Sequence, residues 1–268
     1  MRCSVLPPQQ YFIRKATACQ HSFIPICADS IAVGMVIIMA NNPHKQTILK
    51  TIQRLGQVHS VWDVFSDFAA LSALCVANSC DRHAPTWEKC EQQYLETIRK
   101  YKPNEQELFT QMFAELVLAL EYEITWNNAP TDVLGILFHE LELHNKYKGQ
   151  FFTPQHVCDL MAEIVIGGKD ILLNERGYVS LNEPCCGSGA MILGMAKAML
   201  ERDMNYSRQL FVLATDVDIK CVYMCYLQLS LYGIPAVVVH GNSLTAEEYS
   251  RWLTPVYILD GWAWKTKI

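Results

Sequence analysis

Between residues 178 and 259, short apolar runs alternate with helical patterns, and this alternation constrains the fold more than any other feature of the chain. The runs at 178–181, 210–215, 236–240 and 256–259 are strand candidates. Residues 190–200 and 220–231 repeat apolar side chains at helical spacing between them. Runs that are apolar throughout suit strands buried on both faces, and the intervening helices return the chain to start the next strand. The pattern predicts an α/β fold with a parallel sheet and right-handed crossovers.

The preceding hundred residues contain no strand pattern. Ile48, Ile52, Leu55, Val58, Trp62, Phe65, Phe68 and Leu71 recur at three- and four-residue steps, which predicts helix from Pro43 to about Cys80. After a break at residues 81–85, residues 87–101 read as a second helix, and Pro103 starts a third carrying Leu108, Met112, Leu116 and Leu120. Asn127, Asn128, Ala129 and Pro130 break the pattern, and Thr131 can cap a helix through Leu134, Leu137, Phe138 and Leu141. The expected organisation is a helical domain at 41–145 and a sheet domain at 146–268. Residues 1–40, with Pro7-Pro8 and no helical period, are expected to be a poorly ordered or extraneous segment.

Hydrophobic residues make up 51% of the 268 residues and charged residues 18%, which suits a packed core and excludes a disordered chain. The apolar stretch at 31–40 is too short to span a bilayer, so no membrane partner is expected. The 11 cysteines form no paired Cys-x-x-Cys framework; they read as reduced thiols of a cytoplasmic protein, and no metal site is expected. The formal net charge is −5 with no strongly basic run, so any hold on DNA needs a local patch or a partner.

Four segments carry chemistry. Asn182-Glu183-Pro184-Cys185-Cys186-Gly187-Ser188-Gly189 closes a strand and opens a helix; its two glycines let backbone turn tightly against a ligand. A bare Gly-x-Gly is also an ordinary strand-to-helix turn. Asp216 and Asp218 stand at the end of the next strand, where an acid holds ribose hydroxyls or caps the following helix; Asp218 is the better cap. His240-Gly241-Asn242-Ser243-Leu244 ends the third strand, where Asn242 can meet an adenine edge or only shape a turn. Gly149-Gln150-Phe151-Phe152-Thr153-Pro154 opens a helix with Thr153 as cap and Pro154 at its first position, followed by Val157, Leu160, Met161 and Ile164. Its aromatics suit either a ligand or a hydrophobic staple.

In this order the four segments resemble the modification subunits of type I restriction systems and related adenine-N6 DNA methyltransferases, over roughly residues 130–268. The resemblance implies a Rossmann-like S-adenosylmethionine (SAM)-dependent methyltransferase sheet, C-terminally truncated and preceded by an N-terminal helical domain. It implies SAM as cofactor and methyl transfer to adenine N6 in DNA. Phe152, Thr153 and Pro154 then match the segment around the methionine end of SAM. Glu183, Pro184, Cys186, Gly187 and Gly189 match the glycine turn, Asp216 the ribose-holding acid, Val217 the apolar residue against adenine, and Asn242 the family's usual Asp at the adenine amino group.

The sequence departs from the family at the catalytic motif, Asn/Asp-Pro-Pro-aromatic. After the strand expected at 256–259 come Asp260-Gly261-Trp262-Ala263-Trp264, with neither proline. Asp260 is the candidate catalytic acceptor, with Trp262 or Trp264 stacking on the target base; alternatively Asp260-Gly261 is a turn and the tryptophans cover a sheet edge. The resemblance therefore admits an enzyme working with partner subunits, or a SAM-binding or interaction module without catalysis. Expected partners are SAM, DNA through partner subunits, and either a second copy of the chain or a target-recognition subunit.

Overall fold

The computed structural model describes residues 42–81, 86–143, 152–167 and 173–267. The expectations for residues 1–40, for Gly149 to Phe151 and for the domain boundary at 145/146 lie outside the described residues.

Helices α1 (Pro43–Leu55), α2 (Val61–Cys80), α3 (Trp87–Ile98), α4 (Pro103–Asn127) and α5 (Val133–Glu140) form a helical layer. The continuous helix expected over 43–80 is two helices. The chain turns at Gly56, and the Ser60 side chain caps α2 by accepting from Asp63 N, leaving Val58 exposed. α2 has the length and composition to cross a membrane, yet its Phe68, Ala73 and Leu74 are buried in the core among other helices. Asp132, not Thr131, caps α5, accepting from Gly135 N.

Helix α6 (Gln155–Ile166) leads into the sheet region: β1 (Val179–Glu183), α7 (Ala190–Leu200), α8 (Tyr206–Gln209), β2 (Leu210–Asp216), α9 (Ile219–Tyr232), β3 (Ala236–Asn242), β4 (Glu247–Leu253), α10 (Pro255–Leu259) and α11 (Trp262–Thr266). The fold is Rossmann-like, a four-stranded sheet with a helical layer. Strand order is β1-β2-β3-β4; β1, β2 and β3 are parallel, with Val179 opposite Leu210 and Val212 opposite Ala236. α7 and α9 pack on one face, where Leu210, Val212, Ala214, Ala236 and Val238 join a core continuous with the helical layer. On the opposite face Tyr178, Phe211, Val237 and Val239 pack against Tyr257 and Trp262 from α10 and α11. All eight cysteines among the described residues are free thiols.

Three expectations are corrected. The sheet is mixed, because β4 runs antiparallel to β3. Residues 256–259 are helical: Pro255 sits at the first position of α10, where its fixed φ and missing N–H cost nothing. α6 begins at Gln155 with Pro154 as cap residue, so neither Thr153 nor Pro154 has its expected place, and its apolar period faces outward. Leu160, Ile164 and Val165 are exposed, while Cys158 and Ala162 are buried against α7. Ion pairs Lys197–Asp159 (2.6 Å) and Arg202–Glu163 (2.8 Å) fasten the two helices.

Candidate functional site

The carboxyl ends of β1, β2 and β3 bring the turn, Asp216, Val217 and Asn242 to one end of the sheet. Parallel register makes this inevitable: Glu183 pairs with Ala214 and Asp216 with His240, so each strand delivers its last residues at the same level. Crevices at such strand ends are where open α/β sheets take their ligands.

The turn is held by its own chain. Cys185 N donates to Glu183 Oε1 (3.2 Å), Cys186 N to Thr215 O (2.9 Å), Gly187 N to Asp216 Oδ2 (2.9 Å) and Gly189 N to Cys186 O (2.8 Å). Gly187 and Gly189 have φ of 53° and 100°, a region that costs an L side chain strain. A Cβ on Gly187 would stand 3.0 Å from the Phe152 ring, so the missing side chain lets that ring lie over the turn. Phe152 in turn packs on Phe138 of α5 at 4.7 Å between ring centres. Buried Cys186 lies under the turn beside Cys225, and that neighbouring thiol and burial hold its own thiol neutral, well above its ordinary pKa.

Asp216 accepts from Gly187 N and, through Oδ1, from Asp218 N (2.9 Å). Burial raises its pKa, against the pull of these backbone donors. Each oxygen keeps a lone pair for a ligand hydroxyl. Asp218 caps α9 as expected, accepting from Lys220 N (2.9 Å). Val217, beside the acid, is 64% exposed. The Asn242 side chain is turned on its own loop: Oδ1 accepts from Leu244 N (3.0 Å) and Thr245 N (3.4 Å). Its amide N–H is therefore the group left for a ligand. Ser243 Oγ donates to Pro184 O (2.5 Å), joining the third strand's end to the turn. Thr153 and Pro154 are exposed at the start of α6.

Asp260 does not join this site. β4 returns the chain antiparallel along β3, and Thr254 N donates to Ala236 O at the far, amino end of the strand (3.1 Å). From there Asp260 is six residues on along a helix, about 9 Å of rise, whereas seven residues of β3 span about 20 Å. Trp262 is fully buried against Tyr178 and Phe211, near the amino ends of β1 and β2, and Trp264 is 88% exposed, so neither forms a base-stacking pair with Asp260 at the carboxyl ends of the strands. Replacing Asp260 by alanine is expected to leave cofactor affinity within about twofold of wild type by calorimetry.

Sequence reasoning missed the support beneath the turn: Asp132, Ser188 and Gln228, all buried, are hydrogen-bonded together. The one available signal was Gln228, a polar residue inside the apolar run of α9.

A glycine turn, an acid at the second strand's end and a polar side chain at the third stand at the strand ends, where open α/β sheets take their ligands. More particularly, the family model described as N-6 DNA Methylase matches residues 132–259, and this stretch of the chain is N-6 DNA methylase-like. SAM is the cofactor that this similarity implies. The methylase subunit of the type I restriction enzyme MpnII from Mycoplasma pneumoniae is 25% identical over 112 residues, 40% of this chain and 18% of that protein. The match thus spans under a fifth of that relative's length. Among solved structures, a class I SAM-dependent methyltransferase from Listeria monocytogenes has a TM-score of 0.44 and 14% identity, covering 76% of this chain and 55% of its own. The methyltransferase subunit of a type I restriction-modification system from Streptococcus thermophilus has a TM-score of 0.37 and 20% identity, covering 60% and 32%.

Proposed function

We propose that this chain binds SAM across the ends of β1, β2 and β3 and serves the transfer of its methyl group to adenine N6 in DNA, together with a target-recognition subunit. The observation that carries the reading is the convergence of the turn, Asp216, Val217 and Asn242 at one end of the sheet. The residues fit the cofactor. The left-handed glycines leave the turn without side chains, Asp216 is a half-buried carboxylate with acceptor capacity, and the exposed Val217 offers an apolar surface for a purine. When bound, SAM supplies an electrophilic methyl group.

In this reading Glu183, Pro184, Cys186, Gly187 and Gly189 shape the bed of the methionine moiety, with Phe152, Thr153 and Pro154 beside it. Asp216 accepts from the ribose hydroxyls, Val217 lies against adenine, and the Asn242 amide donates to the adenine edge. DNA is held through the partner, since this chain's net charge is −5.

A second reading, SAM binding without transfer, is favoured by the position of Asp260 and by the lack of any Asn/Asp-Pro-Pro-aromatic stretch in these 268 residues. Two measurements separate them: titration with SAM, and transfer of labelled methyl to adenine-containing DNA with and without a recognition subunit. Saturable binding with transfer supports the first reading; binding without transfer under either condition supports the second; no binding by folded protein overturns both.

A further inference from the structure

The Asp132 carboxylate is 4% exposed and lies between two helix starts. It caps α5 through Gly135 N (2.8 Å), and its other oxygen accepts from Ser188 Oγ (2.5 Å), one residue before Gly189, the cap of α7. Gln228 from α9 completes the group. Its Nε2 donates to Asp132 Oδ1 and to Ser188 O, both at 2.8 Å, and its Oε1 accepts from Leu134 N (3.1 Å). Burial raises the Asp132 pKa, while Ser188, Gln228 and Gly135 N oppose that shift.

The arrangement has a specific cost. Gly135 must be glycine, because a Cβ there would stand 2.0 Å from Asp132 Oδ2 and 2.7 Å from Ser188 Oγ. A buried carboxylate is retained where an apolar residue of similar size would be cheaper. What it holds is informative. Ser188 is the only residue with a side chain between Gly187 and Gly189, both left-handed and both with the widest backbone freedom of any residue type. Backbone hydrogen bonds hold Gly187 N to Asp216 and Gly189 N to Cys186 O, and the Ser188 side chain between them is held by Asp132.

We propose that Asp132 is a positioning residue for the cofactor turn: through Ser188 and Gln228 it fixes the one side chain between the two glycines and ties the helical layer to the ligand site. The inference rests on reading that turn as part of the SAM site. Asp132 acts through Ser188 and touches no ligand itself. Asparagine at 132 keeps the geometry, since its carbonyl oxygen still accepts from Gly135 and Gln228 and its amide donates to the Ser188 hydroxyl.

The test pairs amide hydrogen exchange over residues 183–193 with SAM titration, on wild type, Asp132→Ala, Asp132→Asn and Ser188→Ala. In Asp132→Ala the turn amides are expected to exchange about tenfold faster while those of β2 and β3 stay within about twofold. SAM affinity is expected to fall about tenfold in the same variant, with Asp132→Asn within about threefold of wild type in both readouts. Ser188→Ala, which removes only the hydroxyl, is expected to move both in the same direction by about threefold, and it carries the test alone if Asp132→Ala does not fold. Turn exchange at the wild-type rate in the folded alanine variants overturns the proposal. So does loosening spread evenly over the sheet without rescue by asparagine. If the turn loosens as expected but wild type binds no SAM, the proposed ligand is wrong and the positioning role stands. If wild type binds SAM and the variants bind it equally well, the positioning role is wrong and the ligand stands.

Discussion

Replacing Asp216 with alanine is expected to weaken SAM binding by about ten- to a hundredfold, or about 1.4–2.8 kcal/mol, in calorimetric titration. Two losses combine. The ribose hydroxyls lose a charged acceptor, and the turn loses the carboxylate that ties Gly187 N and Asp218 N to the end of β2. Asparagine at 216 is expected to be nearly as poor, because its amide would face one of those two N–H donors. The same carboxylate sets a pH dependence. Burial raises its pKa above that of an ordinary aspartate, and the ligand hydroxyls need the ionised form as acceptor. Affinity should therefore fall on acidification, starting at a higher pH than an exposed aspartate would give, and Asp216→Ala should remove that part of the dependence. An affinity unchanged by Asp216→Ala, in protein that binds SAM, would remove Asp216 from the site.

Replacing Trp262 with alanine is expected to destabilise the fold by about 3–5 kcal/mol in denaturant unfolding, while Trp264→Ala stays within about 0.5 kcal/mol. The two residues differ in burial and not in chemistry. Trp262 is fully buried, stacked at 6.3 Å on Phe211 and edge-on to Tyr178 at 5.4 Å, with the Lys265 ammonium 4.4 Å from its ring centre. It closes the sheet face opposite α7 and α9, so its loss leaves a cavity bounded by the sheet itself. Its indole N–H is buried and has no hydrogen-bond partner among the described residues. Phenylalanine at 262 removes that unpaired donor and keeps most of the apolar contact, so it should cost about a third of the alanine loss or less. Equal effects of the two alanine substitutions would mean that α11 does not pack on the sheet.

β2 and β3 fall within two residues of their expected limits and α7 matches in full, because continuous apolar runs and helical spacing are local signals that burial reinforces. β4 gave no such signal. Glu247, Glu248, Tyr249 and Arg251 are exposed on an edge strand, and only Trp252 is buried in it, so the alternation that marks a half-buried strand is missing. Residues 256–259 erred the other way: four apolar residues suit a buried strand or a helical turn equally, and Thr254-Pro255 marked the helix.

Local sequence is enough to mark the ends of the three parallel strands, and with them the turn, Asp216, Val217 and Asn242. Each rests on local chemistry: glycine where φ is positive, a short acid or amide at a strand end. Chain folding places Asp260 toward the opposite end of the sheet, buries Trp262 in the core, and brings Asp132, 56 residues from Ser188 in sequence, into a hydrogen bond with it. Those outcomes depend on strand direction and on packing between distant segments, which are fixed by long-range pairing and burial rather than by the order of neighbouring residues.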